Sequence, residues 1–182
     1  PVVVNLDQQS DFSRIEKNAR AMFGSCTVAD ARAAFSGNCA RAVKANAGYP
    51  GFANSDGISR PAMAQALAEQ ARKSGCQAIA HGSSGTGNNH LHMENALRIL
   101  APDMRIIAPV RDLDMRRDES LAFAAKEKLA TNLERAAKYS ADENLWARSI
   151  RQGAAVDMSK PLPQEAYKWT VSPQKAPAAG AE

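Results

Sequence analysis

Aromatic side chains are scarce in this chain, 5% of 182 residues, and histidine occurs only three times. A nucleic-acid surface needs clustered Lys/Arg interleaved with aromatic rings. Here the basic residues are spread out. The densest group, Arg111, Arg116 and Arg117, is interrupted by Asp112, Asp114 and Asp118 and reads as a solvated loop rim. Net charge is a mild +4. The three cysteines, Cys26, Cys39 and Cys76, form no C-x-x-C pair and leave one unmatched, which argues for a reducing compartment and against a zinc site. His81, His90 and His92 do not help, since residues two apart on a helix face different directions. No apolar run approaches the roughly 18 residues of a bilayer span, and no basic segment followed by an apolar one marks a secretory leader. Pro1 fits loss of an initiator methionine or cleavage from a precursor. The expected location is cytoplasmic, or the mitochondrial matrix if a precursor is cut.

What is present is apolar content of 45%, ordinary for one globular domain with a real core. "PVVVNL" predicts a buried strand over Val2–Leu6, and Ser10 an N-cap for a helix from about Asp11 to Phe23, stopped by Gly24. "SCTVAD" reads as a weak strand. Ala31 to Ala47 reads as a helix broken near Ser36–Gly37. "GYPGFANSDGIS", residues 48 to 59, reads as loop, and Pro61 as the start of a helix through Lys73. "CQAIA" and "MRIIAP" read as strands on either side of a helix, Asn88–Leu100, whose Met93, Leu97 and Leu100 form a core stripe. Asp118–Leu129 is expected to be helical, and Asp142–Glu143 to charge the start of a short helix carrying Leu145 and Trp146 inward. Beyond Gly153 the chain thins into "APAAGAE", a tail.

Strands alternating with helices imply an α/β fold, a parallel sheet with helices on both faces, whose ligands sit beyond the carboxyl ends of the strands. One such end is "AIAHGSSGTGNNH", with three glycines and two serines between Gly82 and Gly87, immediately before a helix. Unpaired N–H groups at a helix N-terminus favour an anion. The turn matches neither G-x-x-x-x-G-K-[ST] nor G-x-G-x-x-G. Tight strand–helix packing is the competing reading. No Ser/His/Asp or Cys/His set can be placed by spacing.

"AHGSSGTGNN", then "LAPDMRIIAPVR", "YSADENLWARSI" and "YKWTVSP", together resemble argininosuccinate synthase, with "NLDQQSDFSRIEKNA" and "SRPAMAQALAEQA" fitting the same order. The resemblance implies the ATP-pyrophosphatase fold and a ligase of arginine biosynthesis. In that reaction the citrulline ureido oxygen attacks the α-phosphate of ATP, pyrophosphate leaves, and aspartate displaces AMP. It implies ATP, with Mg²⁺, at His81, Gly82, Ser83, Ser84, Gly85, Thr86, Gly87 and Asn88. It implies an aspartate site at Ser84, Asn88 and Asn89, and a citrulline site at Phe52, Gly57, Asn88, His92, Ser140 and Ser149. Arg60 and Glu94 also match.

Departures weaken these sites. The family's lysine in the glycine turn is Thr86 and its ammonium-binding aspartate is Asn89, which has no charge to pair with a cation. The arginine for the citrulline carboxylate is His92, which supplies no bidentate fork. A tyrosine aligns with Phe52 and a hydroxyl residue with Gly57. By the resemblance, this sequence begins after the first strand, the "SGGLDTS" pyrophosphate loop and a helix, and lacks the family's C-terminal half. Residues 1–157 are therefore expected to be a truncated nucleotide-binding domain and 158–182 an extension ending in the tail. The absent strand would lie between Val2–Leu6 and Cys76–Ala80. Buried unpaired groups there cost about 1–3 kcal/mol each, so either the two strands close on each other or another protein chain fills the place. The expected function is a non-catalytic or structural subunit of a larger assembly. The alternative is part of a split or processed ligase.

Overall fold

The structure is a computed structural model that describes residues 1–48, 53–129, 140–151, 157 and 159–178. Strand β1 (Val2–Asn5) pairs in parallel with β2 (Thr27–Asp30), and β3 (Ala78–Ala80) in parallel with β4 (Arg105–Ile107). An antiparallel hairpin, β5 (Ser140–Glu143) and β6 (Arg148–Arg151), stands apart from both. The helices are α1 (Phe12–Phe23), α2 (Arg32–Lys44), α3 (Ser55–Lys73), α4 (Asn89–Leu100), α5 (Pro109–Asp112) and α6 (Arg117–Lys126). Alternation of helices with parallel pairs makes this an α/β fold.

Helix α3 is the spine. It packs on β1, β2 and β3 and on both α2 and α4. Its small residues Ala62, Ala64, Ala68 and Ala71 are buried and let neighbours approach closely. One core cluster gathers Val4, Leu6, Phe35, Cys39 and Ile58 about the front of α3. A second gathers Ile79, Met93 and Leu97 about its rear.

β1 and β3 do not close on each other. Among the described residues, the two parallel pairs remain separate sheets. A cavity of about 1180 Å³ touches Val2 and Val4 on one side and Ala80 and the following turn on the other, with Met63 and Leu67 of α3 also lining it.

Several local expectations are corrected. Asp11, not Ser10, caps α1, its Oδ1 accepting the Arg14 N–H at 3.0 Å. Helix α2 runs unbroken through Ser36 and Gly37, because Phe35 and Cys39, one turn apart, are both buried in the core. Helix α3 starts at Ser55, within the expected loop, and carries Pro61 inside it. Buried Ser55 is held by Asn144, whose Nδ2 donates to its Oγ at 2.9 Å, and Asp56 pairs with Arg60 one turn on. Asp142 and Glu143 lie in a strand rather than starting a helix. Asn144 makes the hairpin turn, its Oδ1 accepting the N–H groups of Trp146 (3.0 Å) and Ala147 (3.2 Å). Leu100 is 36% exposed and lies outside the core stripe formed by Met93 and Leu97. Ala166 in the C-terminal extension is fully buried, and its carbonyl accepts from Arg148.

Candidate nucleotide site

The turn between β3 and α4 is built from its entry residue. His81 donates its backbone N–H to Ile107 at 3.0 Å, extending the β3–β4 ladder by one rung. Its ring is almost wholly buried. Nδ1 accepts the Ser83 N–H at 3.3 Å, and Nε2 lies 3.5 Å from the Glu94 carboxylate. Nδ1 as acceptor leaves the proton on Nε2, facing Glu94. Burial pushes the His81 pKa down; Arg111 and His90 lower it further, while Glu94 opposes them. His81 is a neutral spacer that shapes the turn.

Glu94 is itself buried and is held by Arg111 and by Arg98, whose Nη2 is 3.3 Å away. The stem of Arg111 runs beneath Gly85: a Cβ there would sit 3.6 Å from Arg111 Cγ. Arg111 was expected on a solvated rim. Instead it braces the turn from below, a role invisible in sequence because its partner lies 17 residues away. Gly87 turns at φ +79°, a region glycine enters without penalty. Ser84 Oγ and Thr86 Oγ1 share a hydrogen bond of 2.9 Å.

Asn88 precedes α4, but its side chain caps nothing and no acidic residue occupies the first turn. The positive end of α4 is thus left for an external acceptor. Asn89 Oδ1 and His90 Nδ1 are also buried without a partner among the described residues.

Of the residues expected at the ATP and aspartate sites, His81, Gly82, Ser83, Ser84, Thr86, Gly87, Asn88 and Asn89 all border this cavity of about 1180 Å³, and Gly85 lies within the same turn. The expected citrulline residues are not gathered there, apart from Asn88. Gly57 is in the first turn of α3 against the Asn54 side chain, His92 lies further along α4, and Ser149 is on β6 opposite Asp142, its Oγ buried and without a partner among the described residues. Phe52 and the Ser140 side chain lie outside the described residues. The cavity also takes in Arg60, already matched by the resemblance, and two arginines that it did not mark, Arg116 and Arg117. Arg60, largely buried, meets Asp142 at 3.1 Å and Asp56 at 3.5 Å. Arg116 and Arg117 stand at the rim. Val2, Val4, Met63 and Leu67 are the apolar wall, legible only as generic core positions.

Among the described residues no group of three His, Cys, Asp or Glu is placed to hold a metal ion. No helix among the described residues is long and apolar enough to cross a membrane.

Comparison with known proteins gives the architecture a family. Residues 1–130 match the family described as the arginosuccinate synthase N-terminal HUP domain. The chain belongs to the argininosuccinate synthase family. It is 44% identical over 140 residues to the argininosuccinate synthase of Methanopyrus kandleri, covering 76% of this chain and 36% of that protein. Against that of Pyrobaculum aerophilum it is 40% identical over 179 residues, covering 97% of this chain and 45% of the relative. The chain therefore spans less than half the length of these synthases. The α/β fold is that of the family's N-terminal HUP domain, and the turn from His81 to Asn88 falls inside the matched region.

Proposed function

We propose that this segment is half of an argininosuccinate-synthase-type ATP site, not a ligase by itself, and works within a larger assembly once another polypeptide segment lies between β1 and β3. The observation that carries the reading is the cavity itself, with the His81–Asn88 turn on one wall and, among the described residues, no neighbouring strand on the facing edges of β1 and β3. The N–H groups at the start of α4 would meet phosphate oxygens, Ser84 and Thr86 would donate hydroxyls, and the rim arginines would supply cations. The incoming segment, on the same chain or a separate one, would supply the other wall.

Two roles follow for the completed site. In an architectural role the chain serves as a non-catalytic subunit. This is favoured by Thr86, Asn89 and His92, each of which removes a charge that the resemblance calls for, and by Gly57, His92 and Ser149 lying off the cavity. In a catalytic role it is one part of a split or processed ligase that joins citrulline, or an analogue, to aspartate. The retained Ser84, Asn88, Ser140 and Ser149 and the synthase names of its relatives favour that role.

The test mixes the chain with ATP, citrulline and aspartate, with and without the part of the Pyrobaculum aerophilum synthase that precedes its match to this chain. AMP formed only in the complemented mixture supports the split ligase. ATP bound in that mixture without AMP supports the architectural role. AMP formed by the chain alone refutes the half-site.

A further inference from the structure

The edge of β1 that faces the cavity is not uniformly open. Pro1 and Asn5 accept hydrogen bonds from Thr27 (2.9 Å) and Ala31 (3.0 Å), so the odd-numbered residues of β1 address β2. Backbone groups alternate along a strand, which turns those of Val2, Val4 and Leu6 the other way. Two of these are already engaged. Leu6 N–H donates to Gln8 Oε1 at 2.7 Å, and Gln8 Nε2 donates to the Val4 carbonyl at 3.0 Å. Asp7, at φ +66°, folds the chain back so that the Gln8 side chain can reach both.

This pair of bonds has a specific geometry. In a parallel ladder, a residue on the neighbouring strand accepts from the N–H that follows the residue opposite it and donates to the carbonyl that precedes it. The Gln8 carboxamide does both around Asn5. It reproduces one complete parallel rung without a strand. One group further, the Leu6 carbonyl accepts Leu145 N–H at 2.9 Å. Among the described residues, what stays open on this edge is the Val2 N–H and carbonyl and the Val4 N–H. The Val2 carbonyl and Val4 N–H make the rung around Val3. An antiparallel strand pairing at Val4 would need the Val4 carbonyl, which Gln8 holds. Across the cavity, Gln77 and His81 bond β4 (both 3.0 Å), so Ala78 and Ala80 face the gap.

We infer that Gln8 is a strand stop: its carboxamide stands in for one residue of a neighbouring parallel strand. An extended segment entering the gap therefore pairs with β1 around Val3 and leaves the sheet before Asn5. Leaving there, it delivers its next residues into the cavity bordered by Ser83–Asn88. The partner that fits is a short, apolar, parallel strand followed at once by a turn. This deepens the half-site reading and rests on it.

The test is amide hydrogen exchange by NMR on the full chain. In the free protein, Gln8→Met keeps the length of the side chain but removes both polar atoms, and Leu6 N–H should exchange at least tenfold faster. Gln8→Glu, which keeps the acceptor but not the donor, should retain most of the Leu6 protection. Equal Leu6 exchange in wild type and Gln8→Met overturns the inference. On adding the preceding segment of the Pyrobaculum aerophilum synthase, Val4 N–H should become protected in both proteins, and in Gln8→Met, where the stop is gone, Leu6 N–H should regain protection as the strand runs on past Asn5. Val4 protected while Leu6 stays fast in Gln8→Met would show that the strand ends there without Gln8 and would also overturn the inference. If Val4 never gains protection, the half-site reading falls, and the Leu6 comparison in the free protein still decides whether Gln8 closes the rung.

Discussion

Replacing Asn144 by alanine is the sharpest test of how the hairpin is fixed to the domain. Asn144 is 2% exposed and makes three side-chain hydrogen bonds, to Ser55 Oγ and from the Trp146 and Ala147 N–H groups. A typical bond is worth about 0.5–1.5 kcal/mol net, and a buried group left unpaired costs about 1–3 kcal/mol. Ser55 Oγ, in a residue 1% exposed, would lose its Asn144 donor where water has little access. The two N–H groups belong to partly exposed residues and can be rehydrated, so they count at the low end. The sum is about 2–3 kcal/mol. Urea unfolding of Asn144→Ala should show that loss, with Leu145→Ala next door, whose side chain is exposed, within about 0.5 kcal/mol of wild type. A loss below about 1 kcal/mol for Asn144→Ala would refute the claim that this amide pins the hairpin to α3.

Phe35→Ala empties a fully buried site in the front core and should cost about 3–5 kcal/mol by the same assay. The His81 pKa is depressed on folding, so the unfolded chain binds more protons near that pH. Stability should be unaffected by this group above about pH 6.5 and fall as pH drops toward the lower folded value. The groups acting on the ring are Glu94 and His90 on α4 and Arg111 on α5, with Arg98 reaching only Glu94, and His81→Asn should flatten this part of the pH profile. Thr86→Lys places a cation on the cavity wall and should tighten pyrophosphate binding to the complemented site about tenfold at low salt, less at high salt. No change at low salt would mean that the turn does not face the phosphates.

Much of this was legible because the relevant signals are local. A run of three valines before a polar turn can hardly be anything but a strand, and a glycine-rich stretch between an apolar run and an amphipathic one marks a strand–turn–helix junction. The start of α3 was hidden because Asn54, Ser55, Asp56 and Gly57 are loop formers by themselves. The contact that makes them helical comes from Asn144, 89 residues away. The same separation hid the hairpin. Asp142 and Glu143 look like the first turn of a helix until Arg60 and Arg148 are seen to hold their carboxylates on a strand. The brace beneath the turn was half visible: Glu94 could be singled out, whereas Arg111 looked like one charge among many. The edge function of Gln8 had no sequence signal, because it depends on a backbone reversal at Asp7 that local pattern does not encode.

An added strand between β1 and β3 is proposed to complete the nucleotide site. The decisive measurement is calorimetric titration of ATP into the chain, alone and with the preceding segment of the Pyrobaculum aerophilum synthase. Affinity at least tenfold higher in the presence of that segment is the predicted result. ATP binding to the isolated chain as tight as to the mixture would contradict it.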